Sequence, residues 1–377
     1  MMKLVIVQPY LTLRGGAERV ILKIAEHYNA KIYTTEYSQS TTFNEFKNFD
    51  IEVIKKHVPL SNKLPYRASQ GLRYGYTFYN LKLKEDYDLI NAHISPSEWI
   101  RHKNKKVLWY CHTPPREVYD LYAERMKNRS YTEKFIYATF TKAYKLIAEG
   151  VVKEIEAIAT NSENTASRIK KYFNRDATVI NPAIDFEKFR NEGNGKYFFY
   201  PSRIIPNKRQ EYAINAFKRF EKKKKGYKLV VAGTLSKDKE HVEYFNRIKK
   251  LADNNVVFKT NITDKELVEL YANSTAVLFT ALNEDFGYIP LEAMASYKPI
   301  ISVNEGGPKE TIIDGKTGFI VGSEEEMAEK MLFVAEHPKI AEEIGKQGRM
   351  HVEKNYSWST FFKKFDKLAR KVAETND

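Results

Sequence analysis

The sequence predicts an α/β protein of two domains, each a parallel sheet covered by helices. Strand-like and helix-like segments alternate along the whole chain, the pattern of parallel sheets with helical crossovers. The length of 377 residues suits two domains of ordinary size, each able to bury its own core. The segment Asn191-Glu-Gly-Asn-Gly195 breaks the pattern into two series.

In the first series Lys3–Gln8 is apolar enough for a buried strand, and Gly16–Tyr28 has helical spacing at Val20, Ile21, Ile24 and Ala25. Further strands are expected at Lys31–Thr35, Asp88–Ala92, Lys106–Cys111, Ala157–Thr160 and Thr178–Ile180. The second series places strands at Tyr197–Tyr200, Lys228–Ala232, Val256–Lys259, Thr275–Thr280, Pro299–Ser302 and Gly318–Val321, with helices between them. No internal repeat is visible.

Composition bounds the function. One cysteine, Cys111, excludes an internal disulfide framework and fits a reducing compartment. No apolar run approaches the ~20 residues of a membrane-spanning helix, and Leu4-Val-Ile-Val7 is too short for a signal-peptide core. A cytoplasmic protein is expected. The net charge of +14 favours anionic partners, namely nucleotide, phospholipid surface or nucleic acid. Nucleic acid is set aside, because no zinc-finger spacing, RNA-binding aromatic signature or basic-leucine pattern is present.

The most informative local feature is the pair Glu284 and Glu292 in Glu284-Asp-Phe-Gly-Tyr-Ile-Pro-Leu-Glu292, between two strand-like runs. Gly287 opens a helix, Pro290 suits its first turn, and Glu292 lies within it. Free N–H groups at such a helix start attract phosphate, while carboxylates accept hydrogen bonds from sugar hydroxyls. A capping Glu292 and a solvated Glu284 are the plain alternative. Arg203 and Lys208 follow the strand at Tyr197–Tyr200, where open α/β sheets bind ligands; a guanidinium fork and an ammonium suit a diphosphate. Gly15 and Gly16, after the first strand, permit φ > 0 and close approach of a ligand. His112 follows the strand Lys106–Cys111 and points from its carboxyl end; a structural hydrogen-bonding role is the alternative.

These segments, with Asn161-Ser-Glu-Asn-Thr, Val179-Ile-Asn-Pro-Ala-Ile-Asp185, Glu305-Gly-Gly-Pro-Lys-Glu310-Thr, Asp314-Gly-Lys-Thr-Gly-Phe319 and Gly15-Gly-Ala-Glu18, fall in an order that resembles the retaining GT-B glycosyltransferases of family 4. The match covers nearly the whole chain. The stretch Tyr110-Cys-His-Thr-Pro-Pro-Arg116 resembles the family's mannosyltransferases of lipid-linked glycan and polysaccharide assembly.

The resemblance implies a Rossmann-like acceptor domain over residues 1–190, completed by a last helix in 357–377, and a donor domain over 191–356, facing each other across a cleft. It implies transfer of a hexose, mannose from GDP-mannose, to a glycan or lipid-linked glycan. A UDP-sugar donor and a catalytically inactive glycan-binding or scaffold subunit are the alternatives. By resemblance Glu284 orients the sugar and supports an oxocarbenium-like transition state, and Glu292 grips the ribose. Arg203 and Lys208 hold the diphosphate, and His112 contacts the transferred sugar. Gly15, Gly16, Asn261 and the backbone of Phe286, Gly287, Tyr288 and Ile289 complete the donor site, with Arg116 assigned to the acceptor. No bound cofactor and no metal is expected. Asp86-Tyr-Asp88 precedes its strand, at the wrong end for a metal–ligand pair.

Residues 55–84 hold seven Lys or Arg and no acidic residue, interleaved with Tyr66, Tyr74, Tyr76, Phe78 and Tyr79. They suit either a peripheral contact with an anionic membrane, on its cytoplasmic face, or a helical region whose aromatics pack into the first domain.

Overall fold

The computed structural model describes residues 2–55, 66–127 and 129–375. Contacts divide the chain into two units, Met1–Asn181 with Phe362–Asp377, and Pro182–Phe361. Each is a parallel sheet with helical crossovers, and the strands expected from the sequence are present to within a residue at either end.

The first unit contains β1 (Leu4–Val7), β2 (Tyr10–Leu11), β3 (Lys31–Thr34), β4 (Glu36–Tyr37), β5 (Ile51–Val53), β6 (Leu89–Ala92), β7 (Val107–Cys111), β8 (Ala157–Thr160) and β9 (Thr178–Val179). Its main sheet runs β5-β3-β1-β6-β7-β8-β9, all parallel, and β2 pairs with β4 apart from it. β1, β6 and β7 are buried along their whole length, as strands covered on both faces must be. β5 is absent from the sequence reading because Ile51-Glu-Val53 is a short edge strand whose last two residues are exposed. Chain order reverses between β1 and β6, so a crevice opens beyond their carboxyl ends. The segment from Phe362 onward packs on the helix Gly16–Tyr28. His27 stacks on Phe362 at 3.9 Å, and the Tyr28 hydroxyl donates to Asp366 at 2.6 Å.

The second unit contains β10 (Tyr197–Pro201), β11 (Lys228–Gly233), β12 (Val256–Thr260), β13 (Ala276–Phe279), β14 (Ile300–Val303) and β15 (Gly318–Val321). They run β12-β11-β10-β13-β14-β15, with the reversal between β10 and β13. The helix Gln210–Lys223 buries Ala213, Ile214, Ala216, Phe217 and Phe220 against β10 and β11, a 3–4 spacing that turns one face inward. Residues 182–190 group with this unit: Ile184 N–H donates to the Tyr356 carbonyl at 3.1 Å, the Trp358 indole to Asp185 at 2.8 Å, and Arg349 to the Phe186 carbonyl at 2.7 Å.

Of the basic stretch 55–84, residues 56–65 lie outside the described residues. In the helix Tyr66–Tyr79, Tyr74 and Phe78 are buried and Tyr79 stacks on His102 at 3.8 Å, so these aromatics pack into the first unit; Tyr76 is exposed. A different helix, Tyr131–Glu154, carries the apolar surface. Its Thr141, Ala148, Val151 and Val152 face the core, while Tyr131 (92% exposed), Phe135 (74%), Ile136 (59%) and Leu146 (64%) face outward. Of the described helices, none is long and apolar enough to cross a membrane.

Candidate active site

The crevice between β10 and β13 is built by two loops. Beyond β10 the chain enters a 3-10 turn at Pro206–Lys208, then passes Arg209 in the left-handed region (φ 52°) before the helix Gln210–Lys223 begins. Lys208 therefore precedes the helix rather than starting it. Its carbonyl accepts from Thr280 Oγ1 at 2.9 Å and also from the buried Tyr200 hydroxyl, which anchors the turn to the adjoining strand ends. Lys208 is 7% exposed, and its ammonium forms an ion pair with Glu284. The two sequence-predicted residues thus meet, 76 positions apart.

The Glu284 loop is fixed from behind. The Gly307 N–H donates to the Glu284 carbonyl at 2.8 Å, and the Leu282 N–H donates to the Asn207 carbonyl at 2.9 Å. Gly306 adopts φ 65°, and a Cβ there would stand 2.3 Å from the Glu284 carbonyl oxygen. Glycine is required on both counts, which gives Gly306-Gly307 a supporting place against the loop. Arg209, passed over at the sequence level, donates to the Thr280 carbonyl at 2.7 Å and to Glu305 at 2.9 Å. Its adjacency to Lys208 was a visible signal, but the left-handed backbone that turns it the other way was not.

Gly287 (φ 84°) starts the helix Tyr288–Ala295, whose N-terminus no side chain caps. Its first-turn N–H groups and dipole remain suited to an anion. Glu292 is buried one turn in, where the Tyr271 hydroxyl donates to it at 2.8 Å. Phe286 turns its ring into the core, leaving its backbone to the loop, and Tyr288 and Ile289 are half-buried. Arg203 is exposed and has no side-chain partner among the described residues. Asn261 is exposed at the end of β12, with β11 between its strand and β10.

In the first unit His112 follows β7 and is half-buried. Its Nε2 lies 3.0 Å from Nδ1 of His93, a fully buried residue just beyond β6. His93 Nε2 lies 2.8 Å from Asn91 Oδ1, and Asn91 Nδ2 donates to the Leu108 carbonyl at 3.0 Å. Burial holds the His93 imidazole well below its usual pKa and brings that of His112 down to about 3, so both rings are neutral at pH 7. Asn161 Nδ2 donates to the His112 carbonyl at 2.8 Å, and Asn181 Nδ2 to the Asn161 carbonyl at 3.0 Å. Of the segments singled out in the sequence, the one at Asn161 thus holds the His112 backbone and the one at Asn181 holds Asn161 in turn. Neither Asn91 nor His93 stood out, because an isolated Asn or His carries no spacing signal.

Gly15 is extended (φ −125°, ψ 179°), and neither Gly15 nor Gly16 has positive φ, so the left-handed freedom expected there is unused. A Cβ on Gly15 would instead meet the Glu18 carboxylate at 2.6 Å, a buried group in the first turn of that helix. Arg116 is half-buried, and its Nε makes no hydrogen bond. Asp88 accepts from the Lys3 N–H at 2.7 Å and Asp86 lies 3.6 Å from the Lys3 ammonium, which puts both at the amino end of β6. Among the described residues no cluster of His, Cys, Asp or Glu is arranged to hold a metal.

Two Rossmann-like units of parallel sheet, with basic residues and carboxylates at a strand-order reversal, define a glycosyltransferase of the GT-B fold. The profile of the glycosyl transferases group 1 matches residues 183–351 and that of glycosyltransferase family 4 matches residues 14–188; the chain belongs to this family of hexosyltransferases. It is similar to human alpha-1,3/1,6-mannosyltransferase ALG2, at 26% identity over 95% of this chain and 93% of the relative. The Dictyostelium discoideum ALG2 is also 26% identical, over 95% and 96%. Among solved structures, Anabaena HepE in complex with UDP-glucose superposes with a TM-score of 0.74 at 18% identity, over 98% of this chain and all 100% of that one. At that identity the likeness is one of fold.

Proposed function

We propose that the chain transfers mannose from GDP-mannose to a lipid-linked glycan with retention at the anomeric carbon. The sugar follows from the mannosyltransferase relatives, aligned over more than nine-tenths of both chains. The observation that carries the site is the Lys208–Glu284 pair beside the uncapped helix at Gly287, at the strand-order reversal. A carboxylate holding an ammonium makes a neutral pair. In this reading the diphosphate draws Lys208 and the exposed Arg203 to itself, and no metal is needed for that charge. Glu284 is then released to the sugar and the charge developing at its anomeric carbon. Glu292 takes the ribose hydroxyls, with Asn261 and the backbone of Phe286–Ile289 around the donor.

The bond from the anomeric carbon to the phosphate oxygen breaks as the acceptor hydroxyl adds on the same face, and the hydroxyl proton passes to the departing phosphate. Glu284 forms no covalent bond in this scheme.

A thermal-shift screen tests the donor. GDP-mannose at about 100 times its dissociation constant adds ~2.7 kcal/mol to stability. UDP-sugars leave the melting point unchanged, and turnover persists in a chelator. A shift with a UDP-sugar alone overturns the donor, no shift with any nucleotide-sugar returns the scaffold alternative, and an inverted anomer in the product overturns the mechanism.

We further infer that the acceptor is met at an anionic membrane surface on the cytoplasmic face, through the helix Tyr131–Glu154. Its outward residues Phe135, Ile136, Phe140, Leu146 and Ile147 fall within about 140° of the helix circumference, in a stripe ~18 Å long. Lys142 and Lys153 flank the stripe, and Gly71, on the neighbouring helix that carries Arg73, lies close to the Phe140 ring.

A further inference from the structure

The hydrogen bonds behind His112 have a direction that can be worked out atom by atom. The Leu108 carbonyl only accepts, so the Asn91 atom 3.0 Å from it is the amide nitrogen, and the Asn91 oxygen faces His93. That oxygen also only accepts, so His93 Nε2 carries a hydrogen. A neutral imidazole with its hydrogen on Nε2 has a bare Nδ1, and this atom lies 3.0 Å from His112 Nε2. His112 Nε2 must therefore donate. The backbone on either side is held as well. The Trp109 indole donates to the His93 carbonyl at 2.8 Å, the His93 N–H donates to Ser97 at 3.1 Å, and Asn161 holds the His112 carbonyl.

We infer that the Leu108–Asn91–His93–His112 chain locks His112 in the Nε2–H tautomer, so that the ring meets its substrate through Nδ1, as a hydrogen-bond acceptor. An acceptor there selects a sugar hydroxyl that gives its hydrogen, and rejects a phosphate oxygen or carbonyl, which offer none. Nδ1 has no hydrogen-bond partner among the described residues. His93 is a positioning residue: it touches no substrate and acts by fixing which nitrogen of His112 is bare. The tautomer stands on the geometry of the first unit alone, whereas the sugar as its ligand rests on the function proposed above.

Two measurements separate these halves. Long-range proton–nitrogen correlation of the whole protein labelled with nitrogen-15 histidine, at pH 7 without ligand, reads the tautomer directly. The Nε2–H pattern at His112 is expected; an Nδ1–H pattern or an imidazolium overturns the lock. His93→Leu should let both tautomers appear, and His93→Gln should restore one, because its amide oxygen accepts from His112 and its NH₂ group donates to Asn91.

The ligand half is tested with GDP-mannose analogues in which single hydroxyls are replaced by hydrogen or by fluorine, which accepts but does not donate. At one position both replacements should lower kcat/KM about tenfold to a hundredfold in the parent and have no further effect in His112→Ala. A fluoro analogue that keeps the parent rate where the deoxy analogue loses it would mean that the ring donates, and would overturn the proposal. Indifference to every replacement, with the Nε2–H pattern intact, would remove the sugar from His112 and leave the function to be judged by the donor screen.

Discussion

The crevice beyond β10 and β13 is organised by full charges: Lys208 with Glu284, Arg209 with Glu305, and Arg203 open to solvent. Beyond β6 and β7 of the first unit, the same class of topology is furnished with neutral imidazoles and amides in a directed series of hydrogen bonds. The difference is one of information. An ion pair attracts any counter-charge that displaces one partner, so it suits a charged leaving group whose position shifts during bond cleavage. A neutral relay has a sense, donor to acceptor, and suits a fixed hydroxyl. Burial supports both arrangements by raising the penalty for an unmatched group.

The largest expected effect lies on the charged side. Lys208→Ala should lower turnover about a hundredfold to a thousandfold, with the folded state retained, in steady-state kinetics with GDP-mannose. A smaller loss there than in His112→Ala would reverse the comparison and make the neutral side dominant.

The next effect tests how far the first unit depends on neutrality. Glu98 is 1% exposed, and neither of its carboxylate oxygens has a hydrogen-bond partner; the Ser95 hydroxyl is nearby but outside bonding geometry. Burial pushes its pKa up to about 8, so it is protonated in the folded protein at pH 7 and ionised when unfolded. The stability it leaves intact is full below about pH 4.5, the ordinary value, and is lost as pH rises through about 8. Between those limits the loss approaches ~1.4 kcal/mol per pH unit. Denaturant melts at pH 6 and 8 should show that slope in the parent and not in Glu98→Gln. Equal slopes would mean that the carboxyl is hydrated or paired.

The smallest effect concerns the apolar stripe. Changing Phe135 and Leu146 together to Ser should weaken co-sedimentation with anionic liposomes about tenfold, since each side chain, only partly buried at an interface, gives up a fraction of the ~1.5–3 kcal/mol of full burial. Raising salt should weaken the parent further as screening tightens. Unchanged sedimentation would free the helix Tyr131–Glu154 from the membrane and leave the first unit with no assigned lipid contact.

The second unit was legible because its chemistry is carried by residue types at fixed spacing. Glu284 and Glu292 bracket a helix start that glycine and proline mark, and Arg203 and Lys208 follow a strand whose four aromatic and apolar residues announce it. What the sequence did not carry was pairing over long separation. Nothing local ties Arg209 to Glu305 or Asn91 to His93 and His112, and a positive φ at a non-glycine residue has no composition signal. The aromatics of Tyr74 and Phe78 were ambiguous for a related reason. A helix with apolar residues on two sides does not say which side the rest of the chain will cover. In Tyr66–Tyr79 the rings of Tyr74 and Phe78 went inward while Tyr76 stayed outside, and in Tyr131–Glu154 a second face was left outside.

The contact of Phe362 and Asp366 with His27 and Tyr28 has a consequence for how the protein is made. The helix Gly16–Tyr28 leaves the ribosome early, but the segment that covers it is translated only after residues 182–361. At about 5–20 residues per second, the nascent first unit waits roughly ten to forty seconds for its last piece. Through that interval the faces of His27 and Tyr28 later taken by Phe362 and Phe365 are open to chaperones. The second unit, contiguous in the chain, needs no later segment before it closes.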